Sequence, residues 1–447
     1  MKKIYLNLFF LTLTIFVSIY FIGFTQTNYD TGYGDFYVFL SIHQLMDVNY
    51  ALYKEIWDHK DIGFYLFNHF FYKAFGIPGL FFSTLLIIIL FYFSLNYYLK
   101  KENIFKNHYF VSTLIIFFIV SIDSFIATHG ETQAPLLILS GIFLYSFNKY
   151  ISGILFILAI TIKISGLPIV LAFFLFMLIN KKQFKAFFTS DILPLIILIF
   201  SLIILFFIYS NIFSSFYLIE GWREITSFNK IYAETIRGNK LFSLNSRDLT
   251  IDIIRIFFYF TTHTKIFFII CLFSFIINFL FIKKFNQLEI IFFFKYLLFF
   301  LFLIFAALGV MYLHIPVAFH HYQFINPFLI VYSLFNISIL LNKFRHEKII
   351  YIFIFAVFLI NTQLIKNSNN FINFFNPING EGELSKELNL LDNNDFIILA
   401  GNHVKLDYSS LIRNKKNLSC RFFYQLEHIL DNYYLEFKEC IENEPKI

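Results

Sequence analysis

Long apolar segments recur along most of this chain and constrain its fold more than any other feature. Runs of about 17–25 residues match the length that a helix needs to cross roughly 30 Å of hydrocarbon. The composition agrees, because 58% of the residues are hydrophobic and only 14% are charged. A soluble chain of 447 residues would need a far more polar surface. The sequence therefore predicts an integral membrane protein.

About eleven such segments can be delimited, which predicts an α-helical polytopic membrane protein. They lie at about 4–24, 77–99, 108–126, 133–148, 151–162, 165–180, 191–209, 264–282, 290–310, 322–341 and 349–365. The first is too long for the apolar core of a signal peptide and no small-residue cleavage site follows it, so we expect an uncleaved span. Gly166 and Pro168 interrupt the run between the fifth and sixth, which predicts a tight hairpin there.

The loops between these segments alternate in charge and so predict an orientation. One set is basic throughout, and it comprises residues 2–3, 100–106, 149, 181–185, 283–284 and 343–348. The other set is longer and mixed in charge, and it comprises 25–76, 127–132, 210–263, 311–321 and the C-terminal tail. Because basic loops stay in the cytoplasm, we expect a cytoplasmic N-terminus and an extracytoplasmic tail in a bacterial plasma (inner) membrane. This placement accounts for the net charge of +6, and no nucleic-acid partner is indicated.

The same alternation predicts two domains. Residues 1–366 form a transmembrane domain, whose two large outward loops are 25–76 and 210–263. Segments 34–47 and 62–75 of the first loop are typical of amphipathic helices that lie on the membrane surface. Residues 367–447 form a small extracytoplasmic α/β domain. We expect its strands at 396–400 and near 421–424, and helices at 384–391 and about 425–440.

Acidic and basic side chains concentrate in the first outward loop. Asp30 and Asp35 stand just beyond the first span, where the bilayer meets water. Asp58, His59 and Lys60 come shortly before the second predicted surface helix. A lysine between acids at that position is well placed to meet a lipid phosphate. No spacing of histidine or cysteine predicts a metal site, and none indicates a bound cofactor.

Four motifs follow one another on the outward side. The first is Asp30-x-Gly32, followed by Trp57-Asp58-His59-Lys60-Asp61 and Phe75-Gly76. The others are Glu131-Thr132-Gln133-Ala134-Pro135, Ala159-Ile160-Thr161-Ile162-Lys163 and His321-Tyr322-Gln323-Phe324-Ile325-Asn326-Pro327. In this order they resemble the GT-C superfamily of membrane glycosyltransferases. The likeness is greatest to its family 39, the relatives of protein mannosyltransferase and of the lipid A aminoarabinose transferase.

This resemblance implies an inverting transfer of a sugar from a polyprenyl-phosphate donor to a glycan, lipid or protein acceptor at the outer membrane face. A carboxylate would act as general base, with Asp30 first and Asp35 second. Lys60 would face the charge that develops on the donor phosphate, helped by Lys163 and His321. Supporting roles would fall to other residues in or next to the same motifs, namely Asp58, His59, Glu131, His320 and Tyr322.

The chain departs from this family at two points. Relatives often have a second acid directly after the first Asp, where this chain has Thr31, and many have Lys-Pro-Pro where it has Lys60-Asp61-Ile62. The choice between Asp30 and Asp35 therefore stays open. Lys163 could instead extend its amine to the interface without a role, and Glu131 could simply cap the fourth span.

Two other functions compete with sugar transfer. A flippase or transporter of lipid-linked oligosaccharides handles the same lipids, but it usually has inverted repeats and charges near the bilayer midplane. We find no internal repeat in the sequence. A polysaccharide polymerase or ligase commonly relies on arginines in a large outward loop. Four arginines in and around loop 210–263 keep that alternative open, namely Arg223, Arg237, Arg247 and Arg255.

Overall fold

The structure, a computed structural model, describes most of the N-terminal 180 residues and parts of the remainder. The described ranges are 2–29, 35–47, 60–102, 107–121, 125–180, 287–313 and 324–333, together with residue 52 and scattered positions beyond 192. Within them the chain is mainly helical. The helices are α1 (Lys2–Tyr29), α2 (Asp35–Asp47), α3 (Ile62–Phe75), α4 (Gly79–Lys101), α5 (His108–Val120), α6 (Gly130–Leu144), α7 (Lys149–Ile162), α8 (Leu167–Asn180) and α9 (Gln287–Leu313).

The described helices follow the predicted ones with shifted ends. Helices α2 and α3 coincide with the two segments expected in the first outward loop. Helix α5 ends at Val120 and not at 126, because the hydroxyl of Ser121 donates to the Phe118 carbonyl (3.3 Å) and a polar stretch follows. Helix α6 begins at Gly130, earlier than the expected 133. The segments at 191–209, 264–282 and 349–365 lie largely outside the described residues.

Among the described residues, two helices are long and apolar enough to cross a membrane. They are Ile4–Gly23 within α1, and α4. Large apolar side chains on α1 and α8 remain exposed, among them Ile4, Phe9, Leu171 and Leu175. Bare apolar surface of this kind suits contact with lipid chains better than contact with water.

The chain divides into two compact units. The first comprises residues 1–25, 81–202 and 245–371, and the second comprises 26–80, 203–244 and 372–447. The second unit includes the short parallel strand pair β1 (Phe396–Ile397) and β2 (Asn417–Leu418). The expected strand at 396–400 thus overlaps β1, whereas the one near 421–424 lies outside the described residues.

In the first unit, α1 packs on α4 and α5 through polar contacts between apolar faces. The Thr14 and Thr113 hydroxyls lie 2.9 Å apart, and the Tyr92 hydroxyl donates to the Asn7 side-chain oxygen (3.1 Å). The Ser112 hydroxyl donates to Asn96 (3.1 Å) and so joins α5 to α4. Inside a membrane the hydrophobic effect does not bring helices together, because lipid tails are as apolar as the helix surfaces. Hydrogen bonds of this type therefore help to join neighbouring helices.

Helices α6, α7 and α8 form two successive hairpins. The Phe156 ring of α7 lies 5.6 Å from the Phe173 ring of α8, across a bend formed by the 3-10 turn Ile164–Gly166. The tight hairpin predicted at Lys163–Gly166 is therefore present. Helices α6 and α7 approach closely at Gly141, where an added Cβ would lie 2.6 Å from the Phe156 ring. A glycine is needed there because the ring occupies the space of a side chain.

The second unit contains α2 and α3, which pack through aromatic rings. Phe39 of α2 contacts Phe64 and Tyr65 of α3, with ring centroids 5.1 and 6.3 Å apart. Helix α3 ends at Phe75, and Gly76 follows it with a φ of +66°, in the region that favours glycine. At Gly79 an added Cβ would overlap the Phe71 carbonyl, so a second glycine is required where the chain turns into α4.

Candidate functional site

A cluster of buried polar side chains lies where several helices of the first unit end. It is formed by the first turns of α4 and α6, the link before α6 and the end of α7. Its members are Ser83, Thr84, Thr128, His129, Glu131, Thr132, Gln133 and Lys163. Buried polar groups are costly unless they are paired, so such a cluster in an otherwise apolar bundle marks a candidate site.

The start of α6 places Glu131 in the cluster. His129 is the N-cap residue, with an extended backbone, and its carbonyl accepts from the N–H groups of Thr132 (3.0 Å) and Gln133 (3.2 Å). Glu131 therefore lies in the first helical turn, where the positive end of the helix dipole favours a carboxylate. Glu131 thus lies at the start of the helix, where a capping role would place it, but its side chain also has a specific partner.

That partner is Lys163, which ends α7. The Lys163 Nζ lies 2.8 Å from Glu131 Oε1, with the two side chains 13% and 2% exposed. His129 Nδ1 lies 3.9 Å from the other oxygen, Glu131 Oε2. Lys163 has extended backbone angles and directly follows the last residue of α7. It therefore lies at the C-terminal end of this helix, where the negative end of the dipole favours a cation.

A glycine makes this pairing sterically possible. An added Cβ at Gly130 would lie 3.2 Å from the Ile162 carbonyl and 3.6 Å from the Lys163 Cβ. A side chain at 130 would therefore press on the chain segment that carries Lys163. The ion pair depends on backbone approach as well as on charge.

A hydrogen-bond network fixes the opposite side of the cluster. The Gln133 amide donates to the hydroxyls of Ser83 (3.2 Å) and Thr84 (3.0 Å), and Thr84 in turn donates to the Ala127 carbonyl. The buried hydroxyl of Thr132 has no hydrogen-bond partner in the part of the chain that the structure describes. The cluster thus combines a rigid frame, a cation with three donor hydrogens and a hydroxyl that can still bond a ligand.

Lys60 lies in the second unit, just before α3. Its Nζ is 5.7 Å from the centre of the Phe39 ring, within the range of a cation–π contact. Asp61 is the N-cap residue of α3, and its backbone carbonyl accepts from the Phe64 N–H (3.1 Å). Lys60 is half-buried.

Two buried histidines join α2 to α3. The rings of His43 and His69 stack 5.7 Å apart at 13°, and both stack on Tyr72. Burial holds the pKa of His43 well below its ordinary value, and the neighbouring His69 lowers it further. Burial and then Lys73 lower the pKa of His69 to about 4, against the opposing effect of Asp47.

These histidines predict an acid-sensitive helix pair. The unfolded segment takes up protons below about pH 6.5, whereas His69 in the folded helix pair resists protonation until about pH 4. The packing of α2 on α3 is therefore most stable above pH 6.5 and weakens as the pH falls. We expect a loss of about 1–2 kcal/mol, since His69 keeps some contact with solvent. Hydrogen exchange of peptides 35–47 and 62–75, corrected for the intrinsic pH dependence, measures it.

Phenylalanine substitution provides the comparison. The double variant His43→Phe/His69→Phe keeps the ring stack without a titrating group, so its exchange is expected not to change between neutral and acidic pH. His108→Phe at the start of α5 removes a histidine elsewhere and is the matched control. Acid-induced exchange that persists in the double variant would contradict the assignment.

The structure brings together only part of the site expected from the sequence. Glu131 and Lys163 form an ion pair, and Lys60 is placed in the second unit. Asp35 is the first residue of α2, although its side chain is not described. Six expected residues lie outside the described ranges, namely Asp30, Asp58, His59, His320, His321 and Tyr322.

Several members of the cluster were not predicted from the sequence. His129 lies in the link before α6 and was not among the expected site residues, but it is buried beside Glu131. Ser83 and Thr84 carried no signal, because serine and threonine are common in helices, whereas Gln133 is part of the motif that begins at Glu131. The one available clue was their position, since each lies near a predicted outward end of a span.

The described residues contain no group of three or more His, Cys, Asp or Glu side chains that could hold a metal ion. No family model, curated protein or solved structure matches the chain.

Proposed function

We propose that this chain is an inverting glycosyltransferase of the GT-C type with about eleven membrane spans. It would move a sugar from a polyprenyl-phosphate donor to a cell-envelope acceptor at the outer face of a bacterial plasma membrane. The observation that carries the proposal is the buried ion pair of Glu131 and Lys163. Glu131 lies at the start of α6 and Lys163 at the end of α7, and the start of α4 lies beside them. The loop charges assign all three helix ends to the outer face.

The chemistry of the donor gives this pair a purpose. When an acceptor oxygen bonds to the anomeric carbon, the bond from that carbon to the phosphate oxygen breaks. The leaving phosphodiester becomes a monoester and gains negative charge. A cation held in advance in a water-poor site stabilises this charge, and it needs no reorganisation during the reaction. Lys163 meets that need, while Glu131 holds its amine in place.

The other roles remain those that the sequence predicts. Asp30, or failing that Asp35, takes the proton of the acceptor hydroxyl. Lys60 and His321 contact the donor phosphate. Attack from the face opposite the leaving group inverts the anomeric carbon. A long prenyl tail stays in the bilayer, which suits the exposed apolar surfaces of α1 and α8.

The position of the ion pair favours an enzyme over a transporter. Charges that serve transport usually lie near the bilayer midplane, at interrupted helices. Glu131 is in the first turn of α6 and Lys163 is the last residue before the bend after α7, so both lie at helix ends. A polymerase or ligase would share the lipid chemistry, and the acceptor distinguishes it.

A transfer assay tests the proposal directly. Membranes that contain the chain are incubated with labelled polyprenyl-phosphate sugars and, separately, with the matching nucleotide sugars. We expect labelled product from the lipid-linked donor alone. The Lys60→Ala variant is expected to lose about tenfold in transfer rate, since Lys60 is only half-buried and its bond to phosphate would be partly screened.

The control is Lys73→Ala in α3. Lys73 is exposed and lies 3.9 Å from Asp47, so its removal deletes a lysine from the same unit without touching the expected donor site. Its transfer rate should equal that of the unaltered chain. Movement of intact lipid-linked glycan across the membrane without bond cleavage would contradict the enzyme and support the flippase.

A further inference from the structure

A second candidate site lies in the first unit at the opposite end of α6 from Glu131. A cavity of about 210 Å³ opens between α4, α6, α8 and α9. Its walls are mainly aromatic and include Tyr98, Phe173, Phe176 and Phe299. The rings of Phe176 and Phe299 are 4.9 Å apart and make the wall between α8 and α9 rigid.

The cavity has one polar end. Glu102 and Ser146 line it, and both follow the last helical residues of α4 and α6. Lys100 and Lys101 form the last turn of α4, where both are exposed, and Lys101 is on the same helix face as Tyr98. Lys149 begins α7, directly after the link from α6. Three lysines against one glutamate leave this end positively charged.

The interior suits a hydrocarbon chain better than water or a compact ligand. The part of the cavity that is lined by phenylalanine rings offers water few hydrogen-bond partners. Its volume is below the range of about 300–1,000 Å³ that is usual for small-molecule sites. Next to the lining residues Phe176 and Phe299, Leu175 and Leu298 are exposed, so apolar surface continues outward from the cavity walls.

We propose that this cavity binds one acyl chain of an anionic phospholipid, with the lipid phosphate against Lys100, Lys101 and Lys149. An amphiphile matches a site that has an aromatic interior and, next to its polar end in the sequence, three lysines. Basic pockets between membrane helices on the cytoplasmic side bind acidic headgroups. The loop charges assign this end of the helices to the cytoplasm. The proposal depends on the membrane-spanning orientation and not on sugar transfer.

Native mass spectrometry of the purified full chain with added lipid tests this site. The probes are phosphatidylglycerol and phosphatidylcholine with identical acyl chains. We expect preferential binding of phosphatidylglycerol. The double variant Lys100→Gln/Lys101→Gln should weaken that binding by roughly 30-fold, about fivefold for each lysine, and leave phosphatidylcholine unaffected. Glu102→Gln should strengthen the binding of phosphatidylglycerol.

A second pair of variants tests the interior. Ile142→Phe places a larger side chain in the cavity wall and should reduce phosphatidylglycerol binding even though all the lysines are present. Leu171→Phe adds a similar ring on the exposed side of α8 and should have no effect. Equal binding of the two lipids, or unchanged binding in both the lysine and the Ile142 variants, would overturn the proposal.

Discussion

Replacing Lys163 with methionine is expected to lower the rate of sugar transfer by about 10²–10³-fold, because the donor phosphate loses a cation held in a water-poor site. The same change leaves the buried Glu131 carboxylate without its partner at 2.8 Å. Removing one member of a buried ion pair costs about 3–5 kcal/mol, so thermal stability should also fall. Initial rates with labelled donor and the midpoint of thermal unfolding measure the two effects.

The double variant separates structure from catalysis. Glu131→Gln alone should reduce stability, and it should lower turnover less than Lys163→Met because the amine is still present. Combining Lys163→Met with Glu131→Gln removes both charges and should restore most of the stability. Turnover is expected to stay at the level of Lys163→Met. If turnover recovers together with stability, Lys163 has a purely structural role.

Asp30→Asn is expected to lower turnover by about 10²–10⁴-fold, the usual contribution of a positioned general base. The amide keeps the shape of the side chain but cannot accept the acceptor proton. Donor binding should change little, since the base acts on the acceptor. If the proposed function is correct, kcat/KM of the unaltered chain should fall at acidic pH as the carboxylate becomes protonated, and the variant should lose this acidic limb.

Asp35→Asn is the matched control for this experiment. Asp35 is nearby in sequence and begins α2, so the variant tests whether any acid of this loop serves equally well. We expect Asp35→Asn to retain most of the turnover. The opposite result, with Asp30→Asn active and Asp35→Asn inactive, would move the base to Asp35.

Helix positions were predictable because they depend on local sequence. The ranges of α2, α3 and α4 follow from apolar runs bounded by polar residues, Gly76 and Pro78. The ends were less predictable, since they depend on caps. The start of α6 at Gly130 requires the extended backbone of His129, and sequence composition does not encode that conformation.

Pairing between helices was not predictable in the same way. Glu131 and Lys163 each attracted attention as a charge beside a span, but their contact depends on how α6 and α7 rotate about their axes. The stack of His43 on His69 depends likewise on the faces that α2 and α3 present to each other. A single sequence specifies residue types and periodicity, whereas these contacts are properties of the packed bundle.

The close approach at Gly141 sets the axial position of α6 relative to α7. Gly141 is about 15 Å along α6 from Glu131, and Phe156 is about 10 Å along α7 from Lys163. A ring seated in the space beside a glycine resists sliding, and a slip of one residue, about 1.5 Å, would already spoil a 2.8 Å contact. A genetic screen for lost transfer should therefore recover bulky replacements at Gly141, far from any reacting atom. Second-site suppressors of such alleles should enlarge the available space at Phe156.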